Sequence, residues 1–256
     1  MRIDSYISGV FLVSGSAAIA VLGLVVAHRL IDHRHLRATH AVAGNFLSVV
    51  GTLYAVLLGL IVIDAMGTFQ RGLTATEQEA NALADLYLLA DQLPSAEAHE
   101  IQHLCSAYVN LVIDREWPAL ERGHDDPKTR AAAIALMKAI LTYEPRTESE
   151  KAIYATELEA ASQFWSSRRS RTLVCSHGIP ALEWFVLLAG GITTVAITYF
   201  FFLDNFRLQA VLTAMVAVII ALNIFLVLMF GYPFSGDLQV RPDSFCIALE
   251  VFQAAH

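Results

Sequence analysis

His99-Glu100-Ile101-Gln102-His103 is the densest concentration of reactive side chains in this chain. On a helix, histidines four residues apart share a face and can hold one zinc ion, while the intervening glutamate acts as general base toward a bound water. Such a centre needs more than the pentad supplies. Ser95, with Glu97 and Glu100 behind it, reads as the start of the helix, which puts His99 in its first turn, and Glu97 charges a flank that a buried zinc helix keeps uncharged. A third ligand would have to be Glu116 or Glu121, and neither sits in a ligand motif. A solvated helix face explains the pentad without a metal. Zinc at His99 and His103 is therefore the lesser alternative, and no metal, cofactor or catalytic residue is assigned.

A second cluster, His28, His33, His35 and His40 among arginines, has the composition of a metal or pH-sensing loop. An interfacial loop whose basic and ring-bearing side chains rest at lipid headgroups accounts for it better. No P-loop, nucleophile elbow or dinucleotide fingerprint occurs, so the chain reads as a non-enzyme.

What must position these residues is set by composition. Hydrophobic residues make up 56% and charged ones 16%, with mean hydropathy +0.53, outside the range of soluble domains. Four apolar runs, near 6–27, 41–65, 179–203 and 208–232, reach the ~20 residues that a bilayer crossing requires. The first is too long for the apolar core of a secretory signal, and only Arg2 precedes it. Cys105, Cys175 and Cys246 are odd in number and far apart, which favours free thiols. A net charge of −7 excludes the basic face by which proteins hold nucleic acid.

The fold expected is all-α, with four transmembrane helices in a 2+2 arrangement around one helical extramembrane domain. The divisions are 1–65 for the first two spans, 66–177 for the helical domain, 178–232 for the last two spans and 233–256 for a C-terminal segment. Within the domain, Pro94 stops the helix leaving the second span, Asp126-Pro127 is an N-cap with a first-turn proline, and Thr147 with Glu150 fits the capping box. No Gly/Ser linker follows the second span, so its helix should continue into the domain as a rod that couples the two mechanically. Both termini and the domain share one side of the membrane. Arg2, Arg71, Arg168, Arg169, Arg171 and Arg241 lie on that side, against Arg29, Arg34, Arg37 and Arg207 opposite. The positive-inside rule then places the domain on the cytoplasmic side.

Along the second span, Gly44, Ser48, Gly51, Ala55 and Gly59 repeat every three or four residues and form one small-residue stripe. Lipid gives helices little hydrophobic drive to associate, so such a stripe marks close backbone approach to another helix. Polar residues inside the spans, namely Asn45, Thr52, Asp64, Glu183, Thr193, Thr194, Thr198 and Asn223, serve as interhelical glue or face water; Asp64 and Glu183 lie close to an interface.

Several segments, in order, resemble a known family: the run from Gly51 to Val62, Glu79-Ala80, Glu116-Trp117-Pro118, Arg168-Arg169-Ser170-Arg171 ahead of Pro180 and Trp184, and Pro233-Phe234-Ser235-Gly236 after the last span. Together they resemble the bestrophin-like bacterial membrane family, distantly similar to bestrophin ion channels. The resemblance implies a homopentamer of subunits with two spans, a cytosolic helical region and two more spans, passing small inorganic ions through a neck built by the second span. It places Thr52, Val56 and Leu60 at the constriction, about a quarter turn from the small-residue stripe. One face would then pack on neighbouring subunits while the next surrounds the axis, and an apolar ring can gate by dewetting. Threonine, valine and leucine replace the bulky aromatics of bestrophin necks, and no counterpart of the animal calcium-sensing cluster is present, so calcium control is not carried over. An acidic vestibule would mildly favour cations, which arginines near the membrane would oppose. The leading expectation is an oligomeric ion channel; the alternatives are a non-conducting scaffold or sensor with a partner-binding helical domain, and the zinc metalloprotease.

Overall fold

Helices account for the regular structure, with no strand among the described residues. The computed structural model describes residues 5–30, 40–176, 178–200, 203 and 205–255, with the backbone alone for 40–43, 45 and 47. In chain order the helices are α1 (Tyr6–Leu30), α2 (His40–Ala90), α3 (Ser95–Leu111), a π-helical turn (Val112–Glu116), α4 (Trp117–Leu120), α5 (Pro127–Thr142), α6 (Glu148–Ser176), α7 (Ala181–Tyr199), α8 (Phe206–Gly231) and α9 (Asp243–Ala254). Four of them, α1, α2, α7 and α8, are long and apolar enough to cross a membrane. The all-α, four-span fold expected from the sequence is the one found. Arg2, His33, Arg34, His35, Arg37 and Asp204, with the side chains of His40 and Asn45, lie outside the described residues.

Two compact units divide the chain. The first comprises residues 1–67, 179–231 and 236–238. In it α1 packs on α8 and α7 through small residues: a Cβ on Gly9 would meet the Phe225 ring of α8 at 2.5 Å, and Gly23 leaves room for the Tyr199 hydroxyl of α7. The outward side chains, among them Ile7, Phe11, Ile19, Phe185, Ile192 and Met215, are apolar and exposed. Such a surface belongs in hydrocarbon, where helices satisfy their own backbone groups.

The second unit comprises residues 68–178, 232–235 and 239–256. Its core gathers Leu83, Leu86 and Tyr87 of α2, Ile101, Cys105 and Tyr108 of α3, Leu136 and Ile140 of α5, and Phe164 of α6. Local chemistry sets several helix starts. The Asp126 carboxylate accepts from the backbone N–H of Lys128 and Thr129 at 3.1 and 3.0 Å, ahead of Pro127 at the first position of α5. Thr147 and Glu150 exchange side-chain-to-backbone bonds at 3.1 and 3.3 Å and open α6. The start of α3 differs from expectation. Pro94, not a serine hydroxyl, precedes its first turn, and no side-chain cap bond forms there; Ser95 is already helical. Two features go beyond the expectation from the sequence: the π turn at Val112–Glu116 and the helix α9 within the C-terminal segment 233–256.

Candidate functional site

α2 is 51 residues of unbroken helix with no proline inside it. In the first unit one side of it is fixed by α7. The Tyr54 hydroxyl donates to the Leu187 carbonyl at 2.9 Å, its ring fills the space left by Gly190 and Gly191, and Leu58 and Ala65 cluster with Leu187 and Val227. The other side carries Thr52, Val56 and Leu60, all exposed, with Val56 and Leu60 each 59% accessible. Thr52 turns its hydroxyl back to the Ser48 carbonyl at 2.7 Å, within its own helix. Ser48 and Ala55 are exposed and Gly44, Gly51 and Gly59 partly so; a Cβ on Gly51 or Gly59 would meet nothing within 4 Å among the described residues. The chain thus uses its tyrosine-bearing side for its own packing and leaves both the stripe and the neighbouring Thr52, Val56, Leu60 face open.

Of the polar residues in the spans, Thr198 and Thr213 meet across α7 and α8 at 3.2 Å, and the Gln209 amide reaches the Thr198 carbonyl at 3.4 Å. Thr193 and Asn223 instead bond the carbonyls of Ala189 and Ile219 on their own helices. The His28 ring stands edge-on to Phe206 at 5.2 Å.

The zinc pentad is not assembled into a centre. His99 and His103 are exposed, and the His99 ring turns its Nδ1 to the Ser95 carbonyl. Glu116, a suggested third ligand, is fully buried and committed elsewhere. No group of three or more metal-ligating side chains converges among the described residues.

Glu116 belongs to a buried ion-pair centre in the second unit. Arg168 holds it through two bonds of 2.8 and 2.6 Å, and Arg171 reaches its second oxygen at 2.7 Å. Arg171 also grips Glu79 of α2 with Nε at 2.6 Å and Nη2 at 3.0 Å. The Tyr108 hydroxyl donates to Glu79 and accepts from Arg168 at 2.5 Å. Over this quartet lie aromatic faces: Arg171 is 5.3 Å from the Trp117 ring centre and 5.6 Å from that of Phe245. Trp117 donates its indole N–H to the Val240 carbonyl at 3.0 Å and meets Phe234 edge-on.

Two carboxylates and two guanidiniums cancel in charge, and their forked geometry is what makes burial tolerable. Burial pushes the Glu116 carboxyl up, but Arg171 and Arg168 outweigh it and hold it below the usual glutamate range. Burial and the Glu79 charge push the Tyr108 phenol well above its ordinary value, so it remains a donor. Burial opposes the charge on Arg171, yet Glu79 and Glu116 raise its pKa well above normal.

This changes the count of membrane-facing arginines. Arg168 and Arg171 are interior and neutralised, so neither supplies interfacial positive charge; Arg169 between them is exposed. The segments behind the family resemblance, Glu79, Glu116-Trp117, Arg168 to Arg171 and Pro233-Phe234, come together here although up to 155 positions separate them (79 to 234). Tyr108 and Phe245 went unread as members of the cluster. The signal for Tyr108 was its place on the buried stripe of α3 with Ile101 and Cys105, since a buried hydroxyl requires a partner.

A family model described as Bestrophin-like domain matches residues 14–245. The chain belongs to the Bestrophin-like family. No curated protein matches it. Among solved structures, a point variant of a bacterial bestrophin homologue from Klebsiella pneumoniae shares its fold with a TM-score of 0.71 at 12% identity, covering 94% of this chain and 98% of the homologue. A second variant of the Klebsiella pneumoniae homologue gives 0.68 at 12% identity over 97% of both chains. A crystal structure described as a membrane protein gives 0.70 at 12% identity, over 94% and 97%. Membership of the Bestrophin-like family supports an ion-channel kind of function, a non-enzyme at family level, and an integral membrane protein.

Proposed function

We propose that this Bestrophin-like chain is one subunit of a homo-oligomeric ion channel, pentameric by its family likeness, whose second span surrounds a central apolar neck. Thr52, Val56 and Leu60 line the pathway for small inorganic ions, while Gly44, Ser48, Gly51, Ala55 and Gly59 pack on neighbouring subunits. The observation that carries this reading is the open side of α2: a small-residue stripe and an apolar face, side by side, left uncovered by the described residues of the chain. A helix meant only for lipid has no use for that stripe, because close approach needs a second backbone. Residues 1–65 and 178–232 form the membrane part, 66–177 a cytoplasmic helical domain at the bacterial inner membrane, and 233–256 the C-terminal segment.

Flux in liposomes tests conduction. The wild type should pass ions, and Val56→Ala and Leu60→Ala should raise the rate by widening a neck that dewets. No flux under any pH, voltage or calcium condition, from a protein that is oligomeric in detergent, would replace the channel by the non-conducting scaffold.

A further inference from the structure

Glu157 sits in the middle of α6 with no accessible surface, and neither of its carboxylate oxygens has a hydrogen-bond partner among the described residues. The ion-pair centre does not use it. A carboxylate in that position carries the full cost of desolvation, since no basic side chain offsets it among the described residues. The ionisable groups on which its charge acts, Cys105 and Tyr143, are weak acids, and the cations Lys138 and Arg146 line the open groove beside Tyr143. From α3, Cys105 is fully buried and its thiol is pushed up by burial and then by Glu157; at the end of α2 the Tyr87 phenol is raised by burial, then by Asp91 and Cys105. From the end of α5, the Tyr143 phenol is raised by burial, then by Glu150, Glu97 and Glu157 together. On α6 itself, Tyr154 stands edge-on to Tyr143 at 5.7 Å.

Tyr143 is already employed. Its hydroxyl donates to Glu150 at 3.1 Å, and Glu150 in turn accepts from the backbone N–H of Arg146 and Thr147 at 2.7 and 3.3 Å. That chain of bonds closes the turn between α5 and α6. Tyr143, Glu144, Arg146 and Glu150 of the turn, with Glu97 and Glu100 of α3, line an open groove of about 850 Å³, which gives water a route to the turn.

We propose that Glu157 makes the joint of α3, α5 and α6 a proton-operated element. Protonated, its carboxyl stays in the dry core and the α5–α6 turn stays closed. Ionised, with its proton released to solvent, it draws in water or takes the Tyr143 hydroxyl from Glu150, and the turn loosens. Burial raises the Glu157 pKa to about 7, so the change falls near neutral pH. Because the folded value lies above the unfolded one, its destabilising effect is absent in acid, grows as pH rises from the unfolded value to about 7, and is complete above that.

Hydrogen exchange on the full chain in detergent, corrected for intrinsic rates, tests this without requiring conduction. Between about pH 5.5 and pH 8.5, protection of residues 143–161 should fall roughly tenfold or more in the wild type and stay constant in Glu157→Gln. Tyr143→Phe, which removes a donor for the ionised form, should move the midpoint to higher pH. Equal pH profiles for wild type and Glu157→Gln would overturn the proposal, and an unmoved midpoint in Tyr143→Phe would remove the tyrosine from it. Infrared spectra of the wild type alone give a second reading that does not depend on a variant folding. A protonated-carboxyl band should fade across the same pH range, and a spectrum with no such change would overturn the proposal equally.

Discussion

At the scale of residues, Arg171 concentrates the most consequence. Replacing it by methionine keeps much of the volume but leaves Glu79 and Glu116 buried with one counter-charge fewer. Removing one partner of a buried ion pair costs about 3–5 kcal/mol, so Arg171→Met should lower thermal stability in detergent sharply. Arg171→Lys should also be destabilised, because an ammonium cannot reproduce the fork that spans Glu79 and Glu116. The pH dependence has two limbs of opposite sign. Glu116, held below its ordinary value, contributes stability that is present at neutral pH and lost as pH falls through its folded value, below the usual glutamate range. Glu157 acts the other way on the neutral side. Thermal stability followed against pH should therefore peak in mild acid, and Glu157→Gln should remove the decline toward neutral pH while leaving the acid limb intact. The identities of Glu79, Glu116, Arg168 and Arg171 were visible as short motifs. Their mutual contact was not, because pairing across 92 positions between Glu79 and Arg171 leaves no periodic trace in either segment.

At the scale of elements, α2 has two kinds of glycine environment against which substitutions can be read. Gly190 of α7 receives the Tyr54 ring, so Gly190→Ala forces that ring aside; overpacking of this kind costs about 1–3 kcal/mol and should appear as a lower melting temperature of the single subunit. Gly51→Leu and Gly59→Leu add bulk where the described residues offer no obstacle within 4 Å. They should leave helix content unchanged and shift the oligomer toward monomer in sizing experiments. Retained oligomers in both variants would move the subunit contact off this stripe. Periodicity made the stripe legible, since three- and four-residue spacing places side chains on one helix face whatever surrounds it. Which face turns inward was decided by Tyr54, whose hydroxyl needed a carbonyl and found that of Leu187. The π turn escaped notice because one extra residue per turn has no composition signature.

At the scale of the whole molecule, sidedness can be measured with a native thiol. Cys246 on α9 is exposed, whereas Cys105 is buried and Cys175 half-buried with its thiol pushed up to about 11 by burial. A membrane-impermeant maleimide should spare Cys246 in intact cells and label it in inverted vesicles, as a cytoplasmic helical domain requires. Labelling of intact cells would reverse the orientation. α9 also contributes to the second unit's core: the Phe252 ring stacks on Tyr87 at 4.1 Å, and Phe245 meets Trp117 at 5.9 Å. Phe245→Ala should cost about 3–5 kcal/mol, as large aromatic deletions in cores do.

Composition and apolar run length determined, without any coordinates, that this is an all-α membrane protein with four spans, because a bilayer demands long uncharged helices and almost any such run satisfies it. Capping residues likewise announced α5 and α6, since a cap acts on its own first turn. Only the tertiary structure decided what the charged residues do. Arg168 and Arg171 read as interfacial cations in a linear chain and are in fact the neutralised centre of the second unit, while Glu157 is buried with no hydrogen-bond partner among the described residues, which nothing in its local sequence announces. The physical reason is common to both. A helix face is written in local spacing, but the dielectric around a charge depends on which distant segments close over it.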